Sequence, residues 1–534
     1  MRLLTTVAAL RCFLTKHRQQ NQLTVSENMV LDGMTDWYPT AVGLVPTMGN
    51  LHQGHLSLIK RARQENSTVI VSIFVNPLQF GPNEDFARYP RTLAQDAKLC
   101  EQGGVDAIFA PNPEEMGIYQ KNIDESQVTQ VIPPSDMIMG LCGRSRLGHF
   151  QGVATIVTKL LNLVQPDRAY FGQKDGQQLA IIKKLVADLN LPVDIIACPI
   201  VREASGLALS SRNQYLTAEE KQQAAVLYRG LQQAEKAFRE GVRDRHQLIA
   251  TVQQELAKVS TVSVEYIELV EPTTLMSLNT IEEEGMLAIA ARIGSTRLID
   301  NTILGDRQPI IAIDGPAGAG KSTVARQVAA KLGLIYLDTG AMYRAVTWLV
   351  LQQGIAIDDD CAIAQLVNQC NIELTPSQDL QSPVLVWING TDVTQEIRTI
   401  AVTSQVSAIA AQNSVREALV KQQQTWGKKG GLVAEGRDIG THVFPDAEVK
   451  IFLTASVSER ARRRLQDFQK QGHPEVSLEQ LEKDIAERDW KDSTRKVSPL
   501  QKAADAVEII TDGLSIPDVT AEIVNYYEQR LSHC

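Results

Sequence analysis

Two histidines, His52 and His55, flank a glutamine and a glycine in the stretch LVPTMGNLHQGHLSLIK (44–60), directly after an apolar run and at the head of a helical pattern. Far downstream, IIAIDGPAGAGKSTVARQVA (from Ile310) repeats the layout of strand, glycine-rich turn and helix, with a lysine where the first has histidines. Imidazoles at a helix start can donate to the negative charge that builds on ATP when its α-phosphate is attacked. The glycine between them, Gly54, is expected to let phosphates approach the backbone. Read alone, the four-residue pattern leaves two rivals open: a histidine pair packed at a strand end, and a zinc site, for which no third ligand in context appears.

The second stretch is more specific. Gly315, Pro316, Ala317, Gly318, Ala319, Gly320, Lys321 and Ser322 satisfy G-x-x-x-x-G-K-[ST], with Thr323 continuing into the helix. Backbone N–H groups of such a loop turn inward around phosphate oxygens, and the helix N-terminus adds partial positive charge. Lys321 is expected to neutralise the β/γ-phosphates and Ser322 to offer an oxygen to Mg²⁺. The loop implies a nucleoside triphosphate without naming the reaction.

Other polar residues cluster where strands should end. FVNPLQF carries Asn76 and Gln79, amides suited to a small polar acid; FGQKDGQQ carries Lys174, Asp175 and Gln178; LALSSRN carries Ser210, Ser211 and Arg212. In the second half, Asp338, Thr339, Arg344, Arg416, Arg437 and Asp438 follow the lysine, and Arg460, Arg463, Arg464, Arg488 and Arg495 come late; Arg462 reads as solvated. Phosphoryl transfer between two nucleotides needs positive charge on both sides of the moving group, commonly supplied by an arginine-rich lid that excludes water.

The elements that must position these residues alternate. From 41 to 200, apolar runs such as AVGLVPT, TVIVSIFV, VDAIFAP and VDIIACP are separated by helical repeats, which predicts an α/β domain with a parallel sheet and ligands at the C-terminal strand ends. After LALSSRNQYLT come long polar helices and short strands, a smaller α/β domain. The expected domains are 1–190, 191–304, a linker at 305–309, and a second α/β unit at 310–534. Leu3, Leu4, Val7, Leu10 and Leu14 recur at helical spacing, so the N-terminus is expected to be an amphipathic surface helix, not a signal peptide, its apolar run being short and broken by Arg11.

Composition sets the outer bounds. A chain of 534 residues with 44% hydrophobic and 22% charged residues is ordinary for a globular protein of several domains. Fifty-three basic against 62 acidic side chains give a net charge of −9, which argues against nucleic acid or an anionic membrane as partner. Seven scattered cysteines point to a reducing, cytoplasmic setting, and no run approaches the ~20 apolar residues of a membrane span.

Two resemblances follow. PTMGNLHQGH, FVNPLQF, DFARYPRT and LSSRNQYL, over about 1–304, resemble the pantoate–β-alanine ligase family, a Rossmann-like HxGH nucleotidyltransferase fold. The resemblance implies that pantoate attacks the ATP α-phosphate to give pantoyl adenylate and pyrophosphate, and that β-alanine then displaces AMP to give pantothenate. It implies ATP binding by Met48, Gly49, Asn50, Leu51, His52, Gln53, Gly54 and His55, by Gly172, Gln173, Lys174 and Asp175, and by Val201, Leu209, Ser210, Ser211 and Arg212. His55 would be the acid-type catalyst, with His52, Lys174, Ser210 and Arg212 assisting; Gln79 and Gln178 would hold pantoate or β-alanine, and Tyr89 would lie on the loop over the site. Gly176 stands where that family commonly has tyrosine, which suggests a looser local loop. A homodimer through this half is also implied.

GPAGAGKST, DTGAMYR, EGRDIGT and SPLQKAADAVEIITDG, over about 306–534, resemble bacterial cytidylate kinase, a P-loop nucleoside monophosphate kinase fold. This implies a monophosphate-binding insert at about 372–430, a lid at about 456–496, and phosphorylation of CMP or dCMP by ATP with Mg²⁺ at Ser322. Asp338, Thr339, Arg344, Arg416, Arg437 and Asp438 would hold CMP; Arg488, Asp492 and Arg495 would meet sugar and phosphates. DWKDSTR is less arginine-rich than the family's usual lid. The alternative is another HxGH nucleotidyltransferase fused to a domain that only binds nucleotide; dependence of AMP release on β-alanine separates the two.

Overall fold

The alternation of apolar runs and helical repeats becomes, in the computed structural model, two parallel sheets in two units, Met1–Asp306 and Arg307–Cys534. The structure describes residues 1–27, 41–81, 84, 86–118, 128–375, 384–470, 477–494 and 498–531.

In the first unit six parallel strands, β1 (Arg2–Leu4), β2 (Val42–Thr47), β3 (Thr68–Ile73), β4 (Ala107–Phe109), β5 (Arg168–Gly172) and β6 (Asp194–Cys198), lie in the order β1-β4-β3-β2-β5-β6. VGLVPT and TVIVSI are apolar on both faces because helices cover both sides of the sheet. Alternate residues feed two cores: Leu44 and Ile70 pack with Phe109, Val157 and Leu161, whereas Val45 and Val71 pack with Ile59 and Tyr170. The strand order reverses between β2 and β5, so a crevice opens at their C-terminal ends.

Two expectations are corrected here. Residues 2–4 do not begin the N-terminal helix; they form β1, and half-exposed Leu3 sits on this edge strand. The helix starts at Val7 and buries Leu10, Phe13 and Leu14, because pairing with β4 satisfies the backbone of residues 2–4 better than one more helical turn could. The sheet also runs past residue 190: β6 is its sixth strand, and the lobe boundary falls after Cys198.

The smaller lobe is an antiparallel sheet of β7 (Val262–Val270), β8 (Glu284–Ile293) and β9 (Thr296–Gly305). Its strands are longer than the sequence suggested. Helices Val226–Arg239 and Arg245–Leu256 cover it, with Leu227, Leu231 and Val252 against Leu287 and Ile289.

In the second unit β10 (Ile310–Asp314), β11 (Ile335–Asp338), β15 (Leu432–Gly436), β16 (Val449–Thr454) and β17 (Val507–Ile510) form a parallel sheet, order β11-β15-β10-β16-β17. A side sheet of β12 (Ile372–Thr375), β13 (Leu385–Ile388) and β14 (Thr391–Asp392) precedes helices Ile400–Ala410 and Asn413–Gly427. Helices Val457–Lys470 and Leu478–Thr494 pack on each other through Ala461, Leu481 and Ile485. Among the described residues, no helix is long and apolar enough to cross a membrane.

Candidate active sites

At the end of β2 the chain passes through Gly49 and Asn50 with φ of 84° and 52°. This left-handed pair aims the N–H groups of Asn50 and Leu51 at the buried carboxylate of Asp96, 3.0 and 2.8 Å away. Those amides are spent inside the protein. Of the run 48–55 the cleft is lined by Met48, His52, Gly54 and His55, while Gln53 is exposed. Of the eight residues expected at ATP, these four line the cleft, and Asn50 and Leu51 fix the turn that presents them.

His52 is the N-cap of helix Gln53–Glu65. Its Nδ1 accepts the Gly54 N–H at 3.1 Å, and Nδ1 of His55 accepts the N–H of His52 at 3.4 Å. A neutral imidazole whose Nδ1 accepts carries its proton on Nε2, so the hydrogen-bond network assigns both rings as Nε2–H donors. The ring centroids are 4.1 Å apart. Burial, then the charge of Lys174, brings His52 down to about 4; burial, then His52, brings His55 down to about 3. Neither ring is an imidazolium at neutral pH, and each carries one Nε2–H. A Cβ on Gly54 would sit 2.9 Å from His52 Cε1, so this cleft-lining glycine makes room for the capping ring.

The companions converge on the same crevice. Gln79, Gly172, Lys174, Asp175, Gln178, Val201, Leu209, Ser210, Ser211, Arg212 and Tyr89 line it with the histidines, and it is open to solvent. Asn76 is buried and holds the turn: its Nδ2 donates to the Gly152 carbonyl and to Gln79 Oε1, both at 3.1 Å, and Gln79 Nε2 reaches Met48 Sδ at 3.0 Å. Asn76 thus orients Gln79 and itself lines the cleft. The Leu209 N–H donates to the Val201 carbonyl at 2.9 Å, closing a narrow turn, and Ser210 Oγ caps the next one at Arg212 N. Gln173 is exposed beside the cleft. Gly176 contradicts the looser loop: it opens helix Gly176–Asp188 with ordinary helical φ of −55°, and a Cβ there would lie 2.6 Å from Met286 Sδ.

Sequence reasoning missed a polar network beside Gln79. Arg146 forks onto Glu84, with Nε to Oε1 at 2.6 Å and Nη2 to Oε2 at 2.5 Å. His149 donates from Nδ1 to the Gln79 carbonyl at 2.8 Å and accepts from Arg146 Nη1 on Nε2 at 3.0 Å. Burial and the neighbouring guanidinium lower His149 to about 4, fixing it as neutral. Burial pushes the Glu84 carboxyl up, but Arg146 outweighs it and leaves it below its ordinary range. Arg146 and His149 both line the cleft. The dense cationic run GRSRLGH was the available signal.

In the second unit β10 delivers the glycine-rich turn. Gly315 has φ of 149°, and a Cβ there would meet the Leu453 carbonyl. Lys321 begins helix Lys321–Leu332; its Nζ donates to the Pro316 carbonyl at 2.7 Å, and burial followed by repulsion from Arg437 lowers its pKa. Ser322 donates to Glu435, whose carboxyl burial raises. Burial also pushes Asp314 up to about 7 while its oxygens accept from the Ile439 and Gly440 amides at 2.7 Å. Asp338 caps helix Thr339–Gln352 and pairs with Arg344 at 3.2 Å; the Thr339 hydroxyl donates to the Glu435 carbonyl at 2.7 Å. Arg416 is buried in an ion pair with Asp438, and Arg437 pairs with Asp492 at 2.9 Å.

Arg488 is largely buried with its Nε unpartnered; burial, then Arg437, with Arg464 and Arg344 beyond it, lowers its pKa. Asp492, which pairs with Arg437, partly offsets them. Arg460 and Arg463 lie against the glycine-rich turn, beside Gly318 and Gly320: Arg460 holds the Ala317 carbonyl at 3.1 Å and Asp489 at 2.5 Å, and Arg463 holds the Thr511 carbonyl at 2.7 Å. Exposed Arg462 pairs with Glu459. Arg495, and parts of the 372–430 and 456–496 segments, lie outside the described residues.

Comparison with known proteins matches both halves. The pantoate-beta-alanine ligase family model covers residues 16–303 and the cytidylate kinase model 311–529. Bifunctional pantoate ligase/cytidylate kinases from Trichormus variabilis and a Nostoc species are each 84% identical over 532 residues, covering 100% of both chains. That of Trichodesmium erythraeum is 56% identical over 99% of this chain and 98% of its own. Pantothenate synthetase from Thermus thermophilus aligns with 57% of this chain and 99% of its own at 41% identity and a TM-score of 0.49. Two glycine-turn sites in one polypeptide, and full-length identity to proteins that carry both activities, lead to one conclusion: the chain belongs to the bifunctional pantoate ligase/cytidylate kinase family.

Proposed function

We propose that the crevice between β2 and β5 runs both steps of the ligase reaction, with the two histidines acting as neutral hydrogen-bond donors to ATP. The paired Nδ1 capping of His52 and His55 carries this reading, because it leaves two Nε2–H groups to meet charge as pantoate attacks the α-phosphorus. Lys174 neutralises phosphate, Gly172, Asp175, Val201, Leu209, Ser210, Ser211 and Arg212 wall the nucleotide, and Gln178 and Gln79, the latter fixed by Asn76, hold pantoate. β-Alanine then attacks the acyl carbon and AMP leaves. AMP release from ATP and pantoate should require β-alanine for turnover; multiple turnovers without an amine would favour a simple nucleotidyltransferase.

In the second unit, the proposal is transfer of the ATP γ-phosphoryl group to CMP or dCMP. Lys321 and the loop amides hold the donor, and the positive charge that the group in flight needs is assigned to Arg344, Arg437, Arg464 and Arg488. Asp338, Arg416 and Asp438 wall the acceptor, and Asp492 and Arg495 are assigned to its sugar and phosphate. No cluster of three or more His, Cys, Asp or Glu able to hold a metal occurs among the described residues. A hard oxygen donor beside phosphates suits Mg²⁺ arriving with ATP, and Ser322, next to Glu435, would supply it. Mg²⁺ there would neutralise the β- and γ-oxygens. Residues 372–430 and 456–496 act as acceptor-binding insert and lid, the chain works in the cytoplasm, and the ligase unit dimerises; sedimentation of the intact chain tests the last point.

A further inference from the structure

Two loops wall the nucleotide side of the ligase cleft, 172–175 and 201–212, and both are tied to one strand of the smaller lobe. Asn301, buried in β9 of the smaller lobe, spends both hydrogens of its amide on the first loop: Nδ2 donates to the Gln173 carbonyl at 3.0 Å and to the Lys174 carbonyl at 2.9 Å. Asp300, the preceding residue and also buried, grips the second loop. Its carboxylate takes Arg202 in a two-point fork at 2.6 and 3.0 Å. Arg202 in turn bonds the Gly206 carbonyl at 3.2 Å and lies 3.8 Å over the Tyr228 ring. Asp300 Oδ1 also accepts the Asn301 N–H at 2.9 Å. Successive strand residues point to opposite faces, so one dipeptide can reach two loops.

We propose that Asp300 and Asn301 are positioning residues for the ligase reaction, clamping both nucleotide-side loops to one strand of the smaller lobe so that Lys174 and Ser210–Arg212 face the phosphates together. An apolar lobe contact would serve if adhesion were the only need. Here two buried polar side chains are used on backbone carbonyls and on an arginine of the loops themselves, which fixes loop position at the cost of desolvating polar groups. Gly176 fits the same scheme: its missing Cβ lets Asn301 and Met286 close on the 172–175 loop. The inference rests on the reading of these loops as the ATP walls.

The test uses the full chain, measuring pantoate-dependent exchange of pyrophosphate into ATP, with thermal melting in parallel. Asn301→Ala should lower the exchange kcat about 10- to 100-fold through misplaced Lys174, with the pantoate KM within about threefold. Asp300→Asn, which keeps shape, should raise the ATP KM about tenfold while leaving the pantoate KM in place. Both kcat and ATP KM within twofold of wild type in folded variants would overturn the proposal. So would kcat and both KM values worsening together with a falling melting temperature, the mark of a merely structural role. If Asn301→Ala fails to fold, Asp300→Asn decides by the same split. A wild-type chain without pantoate-dependent exchange would instead overturn the loop reading, and this inference with it.

Discussion

A histidine that caps its own helix through Nδ1 cannot turn its ring without giving up a backbone hydrogen bond, so His52 and His55 each offer one fixed Nε2–H to the cleft. His55→Ala should therefore block formation of pantoyl adenylate by about 10²–10³, the usual cost of one oxyanion donor. His55→Asn, which can restore an acceptor at the cap, should recover stability more than rate. Synthetic pantoyl adenylate given to the variant with β-alanine should yield pantothenate at a near-normal rate; an equally deep defect there would make His55 a general support of the site. The protonation state is checked separately. His52, His55 and His149 titrate near 4, 3 and 4 when folded, below the ordinary histidine value of about 6.5. The unfolded chain then binds more protons between those values, so their contribution to stability is complete above about pH 6.5 and is lost as pH falls towards 3. Ring-carbon NMR should show all three neutral at pH 5.5; a midpoint near 6.5 for His55 would contradict the neutral-donor role.

Both strand–turn–helix units were legible because their signals are local: an apolar run, glycines and a helix start within twenty residues. The residues that hold them were not. Asp96 reaches Asn50 across 46 positions, Arg146 reaches Glu84 across 62, Arg202 reaches Asp300 across 98, and Asn301 reaches Gln173 across 128. No spacing rule links such pairs before the sheet order is known. β1 escaped notice for the same reason, since three residues with helical periodicity are claimed by a strand over a hundred positions away. Gly176 shows the opposite error, a local departure read as looseness where Met286 and Asn301 pack closely against the backbone. Gly176→Tyr should destabilise the first unit by about 1–3 kcal/mol in urea titration, the ordinary cost of overpacking. Met286→Ala in the same chain should recover part of that loss; no recovery would mean that Met286 is not the obstacle.

The two units each own a parallel sheet, a glycine turn and a full set of polar walls, so the activities should separate by surgery. Pieces ending at Asp306 and starting at Arg307 should each keep one reaction, assayed as pantothenate and CDP formation; loss of either reaction from a folded piece would show that its site is incomplete alone. The central claim, two independent sites in one chain, is met most directly by a crossed assay on intact protein. Lys321→Ala should cut CMP phosphorylation by about 10²–10³ and leave pantothenate formation at the wild-type rate, while His55→Ala does the reverse. A single substitution that removed both activities from a folded chain would contradict it.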